Sequence, residues 1–249
     1  MQARPRNYKS VGIILTWNCA RFLENIYKRV PKECFDEIII ADDGSTDDTM
    51  SVAKRLGIRA FTHEHSGYGG NIKFGLKKAL ELGADYMVEI HGDDQYDPSF
   101  IPGALQVLSQ EADFLLGSRF VDIRQPLRDK MPLVRYLANI GLSFIDRIVL
   151  RVPLTEFHTG FRMYSRNLIE TVGLDGTSND HLFSFQIIAK ACYCKLRVKE
   201  ISIRCNYAQE HSSISIVRSV VYALLTFGVL FYYIVAKMGF NTKLFRCKR

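Results

Sequence analysis

Five short runs of β-branched and aliphatic residues, each followed by a helical pattern or a polar turn, set the terms for how this chain folds. Val11–Thr16 (VGIILT), Glu37–Ala41 (EIIIA), Arg59–Thr62 (RAFT), Asp85–Ile90 (DYMVEI) and Phe114–Gly117 (FLLG) read as strands. Ala20–Arg29 carries Phe22 and Ile26 at helical spacing, with Val30 just beyond. A helix over Thr49–Leu56 starts behind S-T-D-D, one over Lys73–Leu82 is closed by Gly83, and one over Pro98–Gln110 is opened by Pro98. Strands alternating with helices imply an α/β fold with a mostly parallel central sheet and helices on both faces. In such sheets ligands sit at the carboxyl ends of the strands. The residues that follow each strand are therefore the first to examine.

T-W-N-C (Thr16, Trp17, Asn18, Cys19) follows the first strand. The G-x-G-x-x-G turn of a dinucleotide-binding fold is absent there, which argues against an oxidoreductase. A-D-D-G-S-T-D-D-T follows the second strand, and Asp42 and Asp43 are placed to hydrogen-bond a ribose or base edge. H-S-G-Y-G-G-N leads into a helix after the third, a glycine-rich stretch (Gly70, Asn71, then Lys73) of the kind that admits a phosphate at a helix N-terminus. H-G-D-D-Q follows the fourth. Its clustered carboxylates and amide suit a hard divalent cation, Mg²⁺ or Mn²⁺, that leaves positions open for substrate phosphates. Ser118 and Arg119 follow the fifth, and an arginine there suits a phosphate. Each signal has a bland counterpart: a capping turn, a solvated acidic loop, a surface ion pair. Together at one sheet edge they suit a nucleoside diphosphate with bound metal.

These residues resemble those of family 2 glycosyltransferases of the GT-A fold, in particular the dolichyl- and polyprenyl-phosphate mannose synthase-like branch. The resemblance runs from about Val11 to Tyr207. The family's P-T-Y-N-E is L-T-W-N-C here, and its V-D-D-G-S is A-D-D-G-S. Its D-x-D metal motif falls on His91, Gly92 and Asp93, followed by Asp94 and Gln95, so that His91 replaces the first acid. The segment L-T-E-F-H-T-G-F-R-M-Y-S-R (Leu154 to Arg166) matches an E-x-H-T/S-G-Y/F-R-x-Y-S-R stretch of polyprenyl-phosphate relatives. Relatives usually have an acid where Ser184 stands.

The resemblance implies transfer of a sugar from a GDP- or UDP-sugar to a polyprenyl or dolichyl phosphate, metal-dependent and inverting. It assigns Thr16, Trp17, Asn18, Asp42, Asp43, Gly70, Asn71, Lys73 and Asp94 to the nucleotide-sugar. Asp93, Gln95 and His91 fall to the metal, and Asp93, Arg119, Glu156, His158 and Arg162 to the reacting centre. Two alternatives stay open: a sugar-hydroxyl acceptor in polysaccharide synthesis, with Glu156, His158 or Asp180 as base, and a non-catalytic nucleotide-sugar-binding protein.

Charge divides the chain. The formal net charge of +7 falls to +2 without residues 237–249, which hold Lys237, Lys243, Arg246, Lys248 and Arg249 and no acid. A nearly neutral body argues against a nucleic-acid partner. Ser219 to Ala236 is an 18-residue uncharged run, at the lower limit for a membrane span of about 18–20 residues. We therefore expect a glycosyltransferase domain over 1–211 and a hydrophobic helix with a basic tail over 212–249. That appendage would lie on a membrane surface, at its cytoplasmic face. Packing on the domain or on a second copy of the chain is the soluble alternative, with the protein then cytoplasmic. The polar first ten residues do not read as a signal peptide. The six scattered cysteines are expected to be reduced thiols.

Overall fold

The computed structural model describes residues 7–93, 96–204 and 216–248, with the backbone alone for 216–218. Alternation within the strands organises the packing. In β1 (Ser10–Thr16), Val11 and Ile13 point into one core and Ile14 into another. Such two-sided burial is what a sheet covered by helices on both faces requires. The other strands are β2 (Glu37–Asp42), β3 (Arg59–Thr62), β4 (Tyr86–His91), β5 (Phe114–Ser118), β6 (Arg162–Ser165) and β7 (Val198–Ser202). The helices are α1 (Ala20–Arg29), α2 (Thr49–Arg55), α3 (Tyr68–Glu81), α4 (Ile101–Glu111), α5 (Gln125–Arg128), α6 (Leu133–Leu150), α7 (Arg166–Val172), α8 (Leu182–Tyr193) and α9 (Ile216–Lys237). Helices α1, α2 and α4 cover one face; α3, α7, α8 and α9 contribute to the core on the other.

The seven strands run in the order β3-β2-β1-β4-β6-β5-β7. All neighbours are parallel except at β6, which is antiparallel to both β4 and β5. The chain winds outward from β1 to β3 and then restarts at β4 on the other side of β1. This reversal opens a crevice at the carboxyl ends of β1 and β4, where Leu15 is in register with His91. Because β6 runs the other way, its first residue, Arg162, and the 154–161 segment before it arrive at that same edge.

Three expectations change here. Strands β6 and β7 were not anticipated; four- and five-residue strands carry too little alternation to announce themselves. Helix α3 starts at Tyr68, five residues earlier than its apolar periodicity suggested, so Gly69, Gly70 and Asn71 form its first turn. Cys194 and Cys247, expected to be free thiols, are joined in a disulfide across 53 residues. The cause is the course of the C-terminus. Helix α9 packs along α8 and the chain then turns back. Phe245 is buried against Tyr193 and Tyr233, and the Lys248 amide donates to the Thr171 carbonyl at 2.7 Å. Cys205 lies outside the described residues.

Helix α9 presents Thr226, Val229, Leu230, Tyr233 and Ala236 to the domain at helical spacing. Its other face leaves Val220, Leu224, Phe231 and Tyr232 exposed. By length and composition α9 is apolar enough to cross a membrane, yet it lies against α8 and α6. Helix α6 has a similar outward stripe of Val134, Leu137, Phe144, Ile145 and Ile148. The expected boundary at 211/212 falls in residues outside the described ones.

Candidate active site

At the ends of β1 and β2 the polar side chains are consumed by one another. Asp42, fully buried, accepts from Thr16 Oγ1 at 2.8 Å, Thr62 Oγ1 at 3.0 Å and the Ser45 amide at 3.0 Å. Asp43 accepts from the amides of Ser66 (2.8 Å) and Gly67 (3.0 Å), and His65 Nδ1 lies 2.8 Å from its Oδ2. Asn18, with φ +50°, accepts the Thr46 amide at 2.8 Å and so pins the 45–47 turn. Asn71 donates to the carbonyls of Ala41 (3.0 Å) and Thr16 (3.3 Å). Lys73 Nζ binds Asn179 Oδ1 at 2.6 Å and the Thr177 carbonyl at 3.1 Å.

Gly69 and Gly70 have a packing role. A Cβ on Gly69 would sit 2.6 Å from the Asp180 carbonyl oxygen, and one on Gly70 would sit 2.2 Å from Ser66 Oγ. The glycines let α3 dock on residues 178–183. Trp17, by contrast, is 57% exposed and stacked on His65 with ring centroids 4.9 Å apart. It is an open aromatic platform at the edge of the crevice. His65 was missed as a partner because a histidine within a glycine-rich turn gives no sign of what it stacks on.

At the end of β4 the centre is Glu89, also missed. Its signal was a lone acid in an otherwise apolar strand. It is buried and accepts from Tyr68 Oη at 2.8 Å and Tyr164 Oη at 2.6 Å. His91 Nε2 lies 3.1 Å from Glu89 Oε1 and 2.9 Å from the Gly160 carbonyl. Both neighbours are acceptors, so this nitrogen carries the proton. Burial disfavours a charged ring at His91, but Glu89, Asp93 and the Gly160 carbonyl outweigh it and raise the pKa above the usual value. For Glu89, burial pushes the pKa up, and His91, Arg162 and Tyr164 bring it below the ordinary carboxylate range.

This geometry bears on the expected metal site. Nε2 of His91 is engaged as a donor and is not free to ligate. No group of three or more His, Cys, Asp or Glu side chains converges on a cation position among the described residues. Asp93, half-buried, remains a candidate ligand at this strand end. Asp94 and Gln95 lie outside the described residues.

On the β5–β6 side, Arg119 and Glu156 form a buried pair. Glu156 accepts from the Arg119 amide at 2.7 Å and from Nε at 2.8 Å, and the guanidinium Nη2 closes on the same carboxylate. Both are under a tenth exposed. The pairing turns them toward each other and away from the roles expected of them, a phosphate-holding arginine and a base. Arg162 is 1% exposed, bonds Ser184 Oγ at 2.5 Å and reaches the Phe157 carbonyl at 3.5 Å. Its Nε has no partner. His158 packs in parallel orientation near Phe185, with Nδ1 3.2 Å from Tyr222 Oη and Nε2 3.0 Å from Asp146 Oδ2. Asp146 on α6 and Tyr222 on α9 were missed because nothing in the spacing of either helix shows that these side chains face His158.

Comparison with known proteins now adds to this geometry. The family model described as glycosyl transferase family 2 matches residues 12–173. The chain is 29% identical over 217 residues to the UDP-N-acetylglucosamine–dolichyl-phosphate N-acetylglucosaminyltransferase of Methanococcus voltae, covering 79% of this chain and 85% of that protein. It is 26% identical over 204 residues to the polyprenol monophosphomannose synthase of Mycolicibacterium smegmatis, covering 78% and 76%. Among solved structures it is similar in fold to glucosyl-3-phosphoglycerate synthase from Mycobacterium tuberculosis. The TM-score is 0.66 at 14% identity, over 95% of this chain and 82% of that one. The sheet with its single antiparallel insertion is thus a GT-A fold, and the chain belongs to glycosyl transferase family 2 as a glycosyltransferase.

Proposed function

We propose that this glycosyltransferase moves a sugar from a nucleotide-diphosphate donor to a polyprenyl phosphate, with inversion at the transferred carbon. Arg162 is the observation that carries the reading. A buried guanidinium at the carboxyl edge of the sheet hydrogen-bonds a hydroxyl and a carbonyl, leaves Nε without a partner, and feels the Glu89 carboxylate electrostatically without an ion-pair contact to it among the described residues. A charge buried in that way calls for an anion. Relatives named for dolichyl-phosphate, polyprenol and undecaprenyl-phosphate acceptors point the same way.

The chemistry is compatible. A lipid phosphate is already anionic near pH 7, so no strong base is needed, and Glu156 is in any case occupied by Arg119. Trp17, with His65, offers a stacking surface for the base of the donor. Asp42, Asp43 and Asn18 shape the loops around it. Asp93, with Asp94 and Gln95, is our candidate for holding a divalent cation, Mg²⁺ or Mn²⁺. When bound, such a cation would supply positive charge against the departing diphosphate. Arg162 orients the acceptor phosphate, and His158 lies beside it. Arg119 and Glu156 brace the wall of the acceptor side.

We also propose that the protein works at a membrane surface, on its cytoplasmic face. Exposed apolar stripes on α9 and α6 support this. One assay tests the main reading: GDP- and UDP-sugars offered with undecaprenyl phosphate, with Mg²⁺ or Mn²⁺. Formation of a lipid-linked sugar in one pairing is the expected result. Donor hydrolysis without lipid product in every pairing would overturn it.

A further inference from the structure

We propose that Asp146 on α6 and Tyr222 on α9 are positioning residues for His158, so that the C-terminal helix completes the acceptor side of the site. The inference rests on the proposed function for the identity of the acceptor, and on geometry for the rest. His158 sits between the two helices. Its Nε2 faces Asp146 Oδ2 at 3.0 Å and its Nδ1 faces Tyr222 Oη at 3.2 Å. Phe185 of α8 flanks the ring at 5.8 Å, and Tyr222 meets it edge-on at 5.6 Å. The imidazole is thereby fixed in plane and in rotation from three elements.

The burial is unusual. Asp146 is fully buried on the inward face of α6, and neither carboxylate oxygen has an aligned hydrogen bond, although His158 Nε2 is within ion-pair distance. Ser143 Oγ, one turn earlier on α6, is also without a partner. A carboxylate in such a place costs stability, and packing alone would favour a leucine. What it does is fix a ring four residues before Arg162. Tyr222 belongs to a helix whose composition suggests a membrane anchor, and yet it faces inward to that ring. Each of the two helices that touch His158 also carries an outward apolar stripe. Seating those stripes on a lipid surface would hold the His158 segment in place for a lipid-borne phosphate.

The test uses the full-length protein in phosphatidylcholine vesicles with undecaprenyl phosphate and the donor that turns over. Asp146→Asn, Tyr222→Phe and His158→Gln should each lower kcat roughly ten- to a hundredfold, with the donor KM within about twofold. Tyr222→Phe combined with His158→Gln should be no worse than the more damaged single variant, because the residues act as a unit. Amide exchange of residues 154–162 should accelerate in Tyr222→Phe, with β1 and β2 unchanged. Additive losses, a loss confined to donor KM, or unchanged exchange over 154–162 would overturn the inference. If the wild type glycosylates no polyprenyl phosphate, the proposed function fails instead. The exchange experiment then decides the positioning role alone: acceleration over 154–162 in Tyr222→Phe supports it and its absence overturns it.

Discussion

The two halves of the crevice are built on opposite terms. On the half we assign to the donor, around β1, β2 and the start of α3, the buried acids and amides are saturated: Asp42, Asp43 and Asn71 have protein partners. On the acceptor half, the described buried side-chain atoms without a hydrogen-bond partner gather in one place, on Ser143, Asp146, His158 and Arg162. Native proteins pair nearly all buried polar groups. A local failure of that rule marks a site kept ready for something else. The half we assign to the donor is held by its own hydrogen bonds; the half we assign to the acceptor leaves several buried polar atoms without an aligned hydrogen bond.

Predictions follow from breaking this contrast. The largest effect should come from Glu156→Ala. It removes the buried carboxylate that accepts from the Arg119 amide and guanidinium, at a cost of about 3–5 kcal/mol, so thermal denaturation should show a strongly destabilised or unfolded protein. Next is Asp93→Ala, expected to lower transfer at least ~100-fold with an unchanged circular dichroism spectrum; normal turnover would remove Asp93 from the site. The contrast itself is tested by a pair. Asn71→Ala removes two buried hydrogen bonds, to the Ala41 and Thr16 carbonyls, and should lose about 2 kcal/mol. Asp146→Asn removes a charge that already lacks aligned bonds and should leave the denaturation midpoint equal or higher. Equal losses in the two variants would erase the distinction.

Smaller effects come from the edges. Trp17→Ala should raise donor KM about tenfold, the scale of one lost base–aromatic stack, with little change in kcat. Lys190, buried on α8 near Asp175 and Lys248, has its pKa pushed down by burial to about 8 from 10.5. Below pH 8 both folded and unfolded chains carry its charge, and the folded chain bears the desolvation cost. Between about 8 and 10.5 the unfolded chain binds the extra proton, so this group's contribution to stability rises with pH. Lys190→Met should flatten that rise and lift the midpoint at pH 7 by a few degrees.

Much of this site was legible in advance, and the reason is geometric. A parallel sheet puts every strand's carboxyl end at one edge, so short motifs read one at a time converge without any knowledge of side-chain contacts. Thr16, Asp42, Asp43 and Asp93 were placed at that edge in this way, whereas Arg162 came only from the family resemblance, since β6 was not anticipated. Glu89 could have been found, since an acid inside an apolar strand demands partners. His65 could not, because stacking leaves no periodic trace.

Local pattern determined the first five strands, the four helices between them, and the edge that their carboxyl ends share, since alternation and helical spacing are properties of neighbouring residues. The tertiary structure alone decided which polar groups are already satisfied. Glu156 closes on Arg119 at a separation of 37 residues, and His158 meets Tyr222 at a separation of 64. Cys194 joins Cys247 at 53. A hydrogen bond or disulfide depends on where two atoms come to rest, and spacing along the chain carries no record of that.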